Sequence, residues 1–274
     1  MAKKLLAFLN FLVNLAVSFA LMICVLFSAY ALWDNSRVYA KADGIQSEML
    51  KFKPEASESG EKSASFEDLL KVNSDIRAWI SLDNTKIDYP VLQGRDNLSY
   101  INTDVYGNFA LAGSIYLDSR CSGAFEDWYS LLYGHHMENS RMFGDLDLYK
   151  DRDFFEKNSA GRLVLADRSY RLEIFACMTV PASEKAVFSP LQWKDDASGL
   201  IGFAEENAEN LRGDAVETLR EGGVSPRIIA MSTCSSEYTD ARTVVLAVMR
   251  QETAEDGSED KKWIEESTKP PCAL

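Results

Sequence analysis

The chain has only two histidines, adjacent at His135 and His136, and a single glycine, Gly134, separates them from the apolar run Leu131-Leu132-Tyr133. Cys234 ends a stretch that opens with the apolar residues Ile228 to Met231, and Arg242 opens the next one. Seven residues lie between Cys234 and Arg242, most of them small or polar. That layout reads as two antiparallel strands joined by a loop, with the thiol and the guanidinium at the same end. Such a pair can carry acyl transfer. A thiolate attacks a carbonyl, a cation stabilises the developing oxyanion, and an imidazole handles the leaving-group proton. Each residue also has a plainer role. A cysteine at a strand end serves as a small apolar residue, an arginine as a surface charge, and a histidine pair as a satisfied polar edge. Spacing alone leaves both readings open.

Composition narrows the field. Across 274 residues, 29 Lys+Arg stand against 42 Asp+Glu, a net charge of −13. An acidic chain without a basic block is a poor binder of nucleic acid, which demands clustered cations at phosphates. Hydrophobic residues at 46% and charged residues at 26% exclude a disordered chain. Five cysteines (Cys24, Cys121, Cys177, Cys234 and Cys272) form no C-x-x-C pair. With only two histidines, a zinc site is not expected, and no acidic cluster marks a calcium site, so no metal or cofactor is assigned.

The elements that must position these residues begin after an apolar leader. Leu5 to Trp33 carries no charge over 29 residues. A helix of that length spans roughly 43 Å, against a hydrocarbon core of about 30 Å. Lys3 and Lys4 precede it and Asp34 follows, so the N-terminus is expected inside and the remainder outside the membrane. A cleaved signal peptide ending at Ala29-Tyr30-Ala31 competes with an uncleaved anchor, and the length of the run favours the anchor. Outside the membrane, disulfides are permitted. Cys177 sits in the apolar run Ile174–Val180 and reads as a buried thiol, and pairing with Cys121 stays open.

The expected organisation is an anchor over residues 1–33, a polar stalk with some helix over 34–64, a catalytic domain over 65–250, and a polar, disordered tail over 251–274. Ser65-Phe66-Glu67-Asp68 resembles a capping box, and Phe66, Leu69, Leu70, Val72 and Ile76 follow near helical spacing. From Trp79 onward short runs rich in branched and aromatic residues predict strands: Ile87–Val91, Gly113–Leu117, Ser130–Tyr133, Arg162–Ala166, Tyr170–Val180, Pro226–Thr233 and Arg242–Arg250. One helix interrupts them, with Leu200, Ala204, Ala208 and Leu211 on one face and Gly213 as its stop. Many short strands without a β-α rhythm predict a barrel or sandwich.

Ser232-Thr233-Cys234 with Arg242 eight residues on, preceded by Tyr133-Gly134-His135-His136-Met137, resembles the sortase signature. The class B branch is favoured by Asp75-Ile76-Arg77-Ala78-Trp79-Ile80, Ile87-Asp88-Tyr89-Pro90-Val91, Asp96-Asn97-Leu98-Ser99-Tyr100-Ile101 and Gly113-Ser114-Ile115-Tyr116-Leu117-Asp118. Together these motifs cover residues 66–250. The resemblance implies a mainly β fold. It would be a closed, mostly antiparallel barrel of about eight strands, with N-terminal helices and one long helix before the strand that carries the cysteine.

The resemblance also implies a membrane-anchored cysteine transpeptidase of Gram-positive bacteria, with its catalytic domain outside the cell. It would cleave a C-terminal sorting signal of NPxT-like type after Thr and pass the surface protein, through a thioacyl enzyme, to an amine. That amine would come from a peptidoglycan precursor or, in a pilus polymerase, from a pilin lysine. Carried over by motif, Cys234 is the nucleophile, His135 the acid/base and Arg242 the oxyanion or substrate clamp. Asn97, Ile101 and Ser232 match positions near the signal peptide. His136 is the neighbour rather than the catalyst, because adjacent side chains in an extended segment point to opposite faces. The family's usual Thr-Leu before Ser-Thr-Cys is Ala230-Met231 here, and the acidic residue often found two positions after the cysteine is Ser236, with Glu237 one further on. A non-enzymatic binding module on the same scaffold would need a dead site, and all three signature residues are intact.

Overall fold

The branched and aromatic runs become strands because they can enclose one apolar interior. The computed structural model describes residues 2–54, 64–221, 226–234 and 240–252, with the side chains of residues 64, 65, 220, 221 and 234 outside that description. Its strands are β1 (Ile76–Leu82), β2 (Asp88–Leu92), β3 (Ile115–Leu117), β4 (Tyr129–Tyr133), β5 (His136–Met137), β6 (Arg141–Met142), β7 (Ala160–Val164), β8 (Ser169–Pro181), β9 (Asn210–Leu211), β10 (Ile228–Cys234) and β11 (Ala241–Gln251). Eight of these run in the order β11-β10-β4-β3-β2-β1-β7-β8, and β8 pairs back onto β11. The sheet is thereby closed and has no free edge within the ring. The β2–β3 and β4–β10 pairs are parallel and the others antiparallel, which is the mostly antiparallel barrel expected from the sequence.

The described helices are α1 (Ala2–Met49), α2 (Ala64–Val72), α3 (Arg152–Lys157), α4 (Lys185–Phe188), α5 (Ser198–Asn207) and α6 (Gly213–Glu221). The chain divides into two compact units, Met1–Gly44 and Ile45–Leu274. In the first, the apolar side chains from Leu5 to Trp33 are exposed on a helix long and apolar enough to cross a membrane. In the second, Met49, Phe66, Leu69, Trp79, Leu92, Tyr100, Tyr116 and Val164 belong to one buried cluster. Ile228 to Met231 and Val244 to Met249 are buried without alternation, because both faces of β10 and β11 are covered.

Two helical segments differ from the spacing of their apolar residues. The stretch from Phe66 to Ile76 stops being helical at Val72, where Asn73 turns the chain. Its N–H donates to the Leu69 carbonyl at 3.1 Å, its Nδ2 to the Val105 carbonyl at 2.8 Å, and its Oδ1 accepts from the Asp75 N–H at 2.9 Å. Ile76 then opens β1. The helix ahead of the Cys234 strand is two helices. Asn210 donates to the carbonyls of Tyr149 at 2.9 Å and Lys150 at 2.8 Å, which draws residues 210 and 211 out of the helix and onto β8. Gly213 therefore opens α6 rather than closing α5. Segment 34–64 is helical to Met49, and Leu50–Phe52 forms a 3-10 turn. The tail expected from residue 251 begins later, because β11 includes Gln251 and the Glu252 N–H donates to the Ser169 carbonyl at 2.9 Å. Residues from 253 on, with Cys272, and the positions of Ser236 and Glu237 lie outside the described residues.

Candidate active site

Three strand ends meet at one end of the barrel. β4 and β10 run parallel, with Tyr133 opposite Ser232. One residue further, the Gly134 N–H donates to the Ser232 carbonyl at 3.1 Å, so His135 emerges beside the end of β10. β11 lies on the other side of β10, where Cys234 pairs with Arg242 and Thr233 with Thr243. Cross-strand partners share a sheet face, so register assigns positions 234 and 242 to one face and 233 and 243 to the other. Gly134 is required here for want of space. A Cβ would stand 2.5 Å from Ile115 Cδ1 and 2.7 Å from Phe143 Cδ2, and both belong to buried side chains.

His135 is half-buried, and its Nε2 lies 2.6 Å from the carbonyl oxygen of Ile101. A carbonyl can only accept, so Nε2 carries the proton in the neutral ring and Nδ1 is the basic nitrogen. Ile101 thus meets the site through its main chain. Arg242 is also half-buried, and its Nη1 donates to the Ala241 carbonyl at 2.9 Å, which fixes one edge of the guanidinium. Ser232, two residues before Cys234, is buried, and its hydroxyl has no hydrogen-bond partner among the described residues.

Asn97 stands in a different cluster. Its Nδ2 donates to Asp118 Oδ2 at 2.9 Å and its Oδ1 accepts from the Ser119 N–H at 2.8 Å, so both ends of its amide are engaged within the protein. The Asp118 side chain is fully buried. Burial pushes its carboxyl pKa up. The Arg120 fork at 2.8 and 2.6 Å, the Arg120 N–H and Asn97 overcome that push and hold it below the usual range. Tyr133 donates to the same carboxylate at 3.1 Å, which links Asn97 to the strand that leads into His135.

His136 is exposed and faces Asp147, with 2.8 Å between Nε2 and Oδ2. This hydrogen bond raises the pKa of His136. Burial pushes the Asp147 carboxyl up, but the bonds from His136, Thr243 and Lys150 hold it far below the ordinary range. Cys121 and Cys177 are buried thiols and form no disulfide with each other. Burial pushes the Cys121 thiol up to about 12, so it is almost wholly protonated at neutral pH. Among the described residues no group of three or more His, Cys, Asp or Glu side chains could hold a metal ion.

The structure therefore brings the chain positions of His135, Cys234, Arg242 and Ser232 and the Ile101 carbonyl to one end of the barrel, and links Asn97 to them through Asp118 and Tyr133. The linear sequence does not mark Asp147, and it shows Asp118 only as the end of a motif, with no role attached. Tyr133 is 15 residues from Asp118, and Thr243 is 96 residues from Asp147, so only the closed barrel makes them neighbours. A thiol, an imidazole with a basic Nδ1 and a guanidinium on adjoining strand ends are the components of cysteine acyl transfer.

No protein-family model matches the chain. It is 29% identical over 218 residues to the Sortase B of Listeria monocytogenes, across 78% of this chain and 85% of that protein. It is 30% identical over 184 residues to the Sortase B of Staphylococcus aureus, across 66% of this chain and 73% of that protein. It also resembles the crystal structure of a Streptococcus pyogenes class B sortase involved in pilus biogenesis. The TM-score is 0.60 at 33% identity, over 68% of this chain and 98% of the other.

Proposed function

The chain belongs to the class B sortases, and from that premise we propose that it is a membrane-anchored cysteine transpeptidase that joins surface proteins to an amine of the cell wall. Cys234 attacks the carbonyl carbon of the Thr in a C-terminal sorting signal. As it attacks, the Cys234 thiol gives its proton to Nδ1 of His135. The peptide C–N bond then breaks, the departing amine takes that proton from Nδ1, and a thioacyl enzyme remains. The acceptor amine then attacks the thioester, gives its proton to His135 and releases the Cys234 sulfur. Arg242 stabilises the oxyanion that forms in each half.

One observation carries this assignment, the cross-strand pairing of Cys234 with Arg242. A cationic residue at the register position opposite the nucleophile supports the reading. Ser232 and the Ile101 backbone border the signal peptide through their adjacency to Cys234 and His135. Asn97 belongs to the same site as a positioning residue that works through Asp118 and Tyr133. The charge-free run from Leu5 to Trp33, behind Lys3 and Lys4, supports a retained span with the N-terminus inside and the barrel outside.

The similarity to the Streptococcus pyogenes enzyme favours a second acceptor, a pilin lysine, with the same chemistry at the thiol. A competition assay discriminates the two. The chain is given one signal peptide and equal amounts of a peptidoglycan stem or cross-bridge amine and a lysine-bearing pilin. Preferential transfer to the wall amine supports wall anchoring, and preferential transfer to the pilin supports polymerisation. Absence of any amine-dependent product, with cleavage intact, refutes both.

A further inference from the structure

His136 and Thr243 each follow a residue of the site just described, and both bind the same carboxylate. His136 Nε2 lies 2.8 Å from Asp147 Oδ2, and Thr243 Oγ1 donates to Asp147 Oδ1 at 2.7 Å. Lys150 Nζ completes the cluster at 3.0 Å from Oδ1. Asp147 sits on the 3-10 helix Gly144–Lys150, which packs against β8, β10 and β11 and buries Leu146 and Tyr149. Side chains alternate along an extended chain, so His136 and Thr243 occupy the face opposite His135 and Arg242. One carboxylate therefore clasps, from behind, the two chain segments that present the imidazole and the guanidinium in front.

We propose that Asp147 is a positioning residue for the transpeptidase, fixing the separation of His135 and Arg242 by holding the residue next to each. This role rests on the assignment of His135 and Arg242 to the chemistry. It also gives His136 a pH-dependent part. The groups facing His136 are Asp147, which favours its protonated form through the hydrogen bond, Lys150, which opposes it, and Glu138, which adds a smaller favourable charge. Because the pKa of His136 is raised, the charged pair is complete below the ordinary imidazole value and is lost as pH rises through the raised one.

The test uses the full chain in detergent micelles, with Asp147→Asn, His136→Gln, the double variant, and Cys234→Ala as the blank. The expected result for Asp147→Asn is a fall in kcat of about tenfold with KM little changed, the scale of a small misplacement of catalytic groups. His136→Gln should fall less and lose the part of the alkaline limb that wild type owes to His136. Adding Asp147→Asn to it should cost less than the same change costs in wild type, because the two side chains share one interaction. With only two histidines in the chain, each ring can be followed by NMR, and the His136 pKa should drop in Asp147→Asn. Unaltered kcat and pH profile in Asp147→Asn, with wild type active and Cys234→Ala dead, overturn the positioning role and leave the transpeptidase assignment standing. A lowered melting temperature with an unmoved pH profile and additive losses also overturns it. An inactive wild type removes the assignment and the positioning role together, and an unmoved His136 titration in Asp147→Asn removes the pair itself.

Discussion

The Nε2 of His135 stands 2.6 Å from the main-chain oxygen of Ile101. A backbone acceptor fixes the tautomer without adding a charge, and it leaves Nδ1 as the basic nitrogen of the ring. His136 is tied to Asp147 on the other face. The two neighbours should therefore respond very differently to truncation. His135→Ala should remove nearly all peptide cleavage and amine transfer, while His136→Ala should reduce turnover about tenfold or less, within the range of a misplaced catalytic group. Steady-state kinetics with one signal peptide check this, and a larger loss from His136→Ala would exchange their roles.

Arg242→Lys keeps the charge but loses the planar fork that can offer two N–H donors to an oxyanion. Turnover should fall roughly 10²-fold or more, the scale seen when one oxyanion donor is removed. Thermal unfolding should move little, since Arg242 is half-buried at the start of a strand and its guanidinium bonds the carbonyl of its own neighbour, Ala241. Near-normal turnover with lysine would reduce Arg242 to a diffuse positive field.

Asp118→Asn tests the cluster that joins Asn97 to Tyr133. The substitution removes the charge that Arg120, Asn97 and Tyr133 bind. Arg120 keeps 40% of its side-chain surface exposed and can be rehydrated, so the expected loss is about 2 kcal/mol at neutral pH, near the middle of the range for hydrogen bonds to charged groups. The Asp118 carboxyl pKa is lowered by folding, so its contribution is present above the unfolded carboxylate range and is lost as pH falls. Urea unfolding of wild type and variant at neutral and acidic pH should show the gap closing in acid. A gap that widens in acid would mean the carboxylate is not the stabilising form.

The span is tested by the mature N-terminus. Intact mass from the native membrane should retain residues 1–33, and protease added outside the cell should reach the barrel. A mature protein beginning near Leu32 would make the enzyme a secreted one.

The Cys234–Arg242 pair was legible because two apolar runs flank a short polar loop, a local pattern that allows few arrangements. The density of branched and aromatic runs pointed to a barrel or a sandwich, and the resemblance to the sortases decided for the closed barrel. The helix around Leu200 was only half legible. Its apolar spacing is continuous, and the break comes from Asn210 binding carbonyls near Tyr149, a contact that spans 61 residues. Asn97 was singled out by the resemblance alone, and the engagement of its amide with Asp118 and Ser119 was not legible, since neither partner is near it in sequence. Asp147 was illegible for the same reason. Its meaning depends on Thr243, which arrives from a strand 96 residues further along the chain.

The thioacyl intermediate on Cys234 offers the most direct test. The full chain is incubated with a signal peptide in the absence of an amine acceptor, quenched in acid, digested and mapped by mass spectrometry. The acyl half of the peptide, ending in Thr, should be attached to Cys234 and not to Cys121 or Cys177, which are buried. It should vanish on addition of an amine as the joined product appears, and Cys234→Ala should yield neither adduct nor cleavage. Cleavage retained in Cys234→Ala, or an adduct on another residue, would contradict Cys234 as the nucleophile.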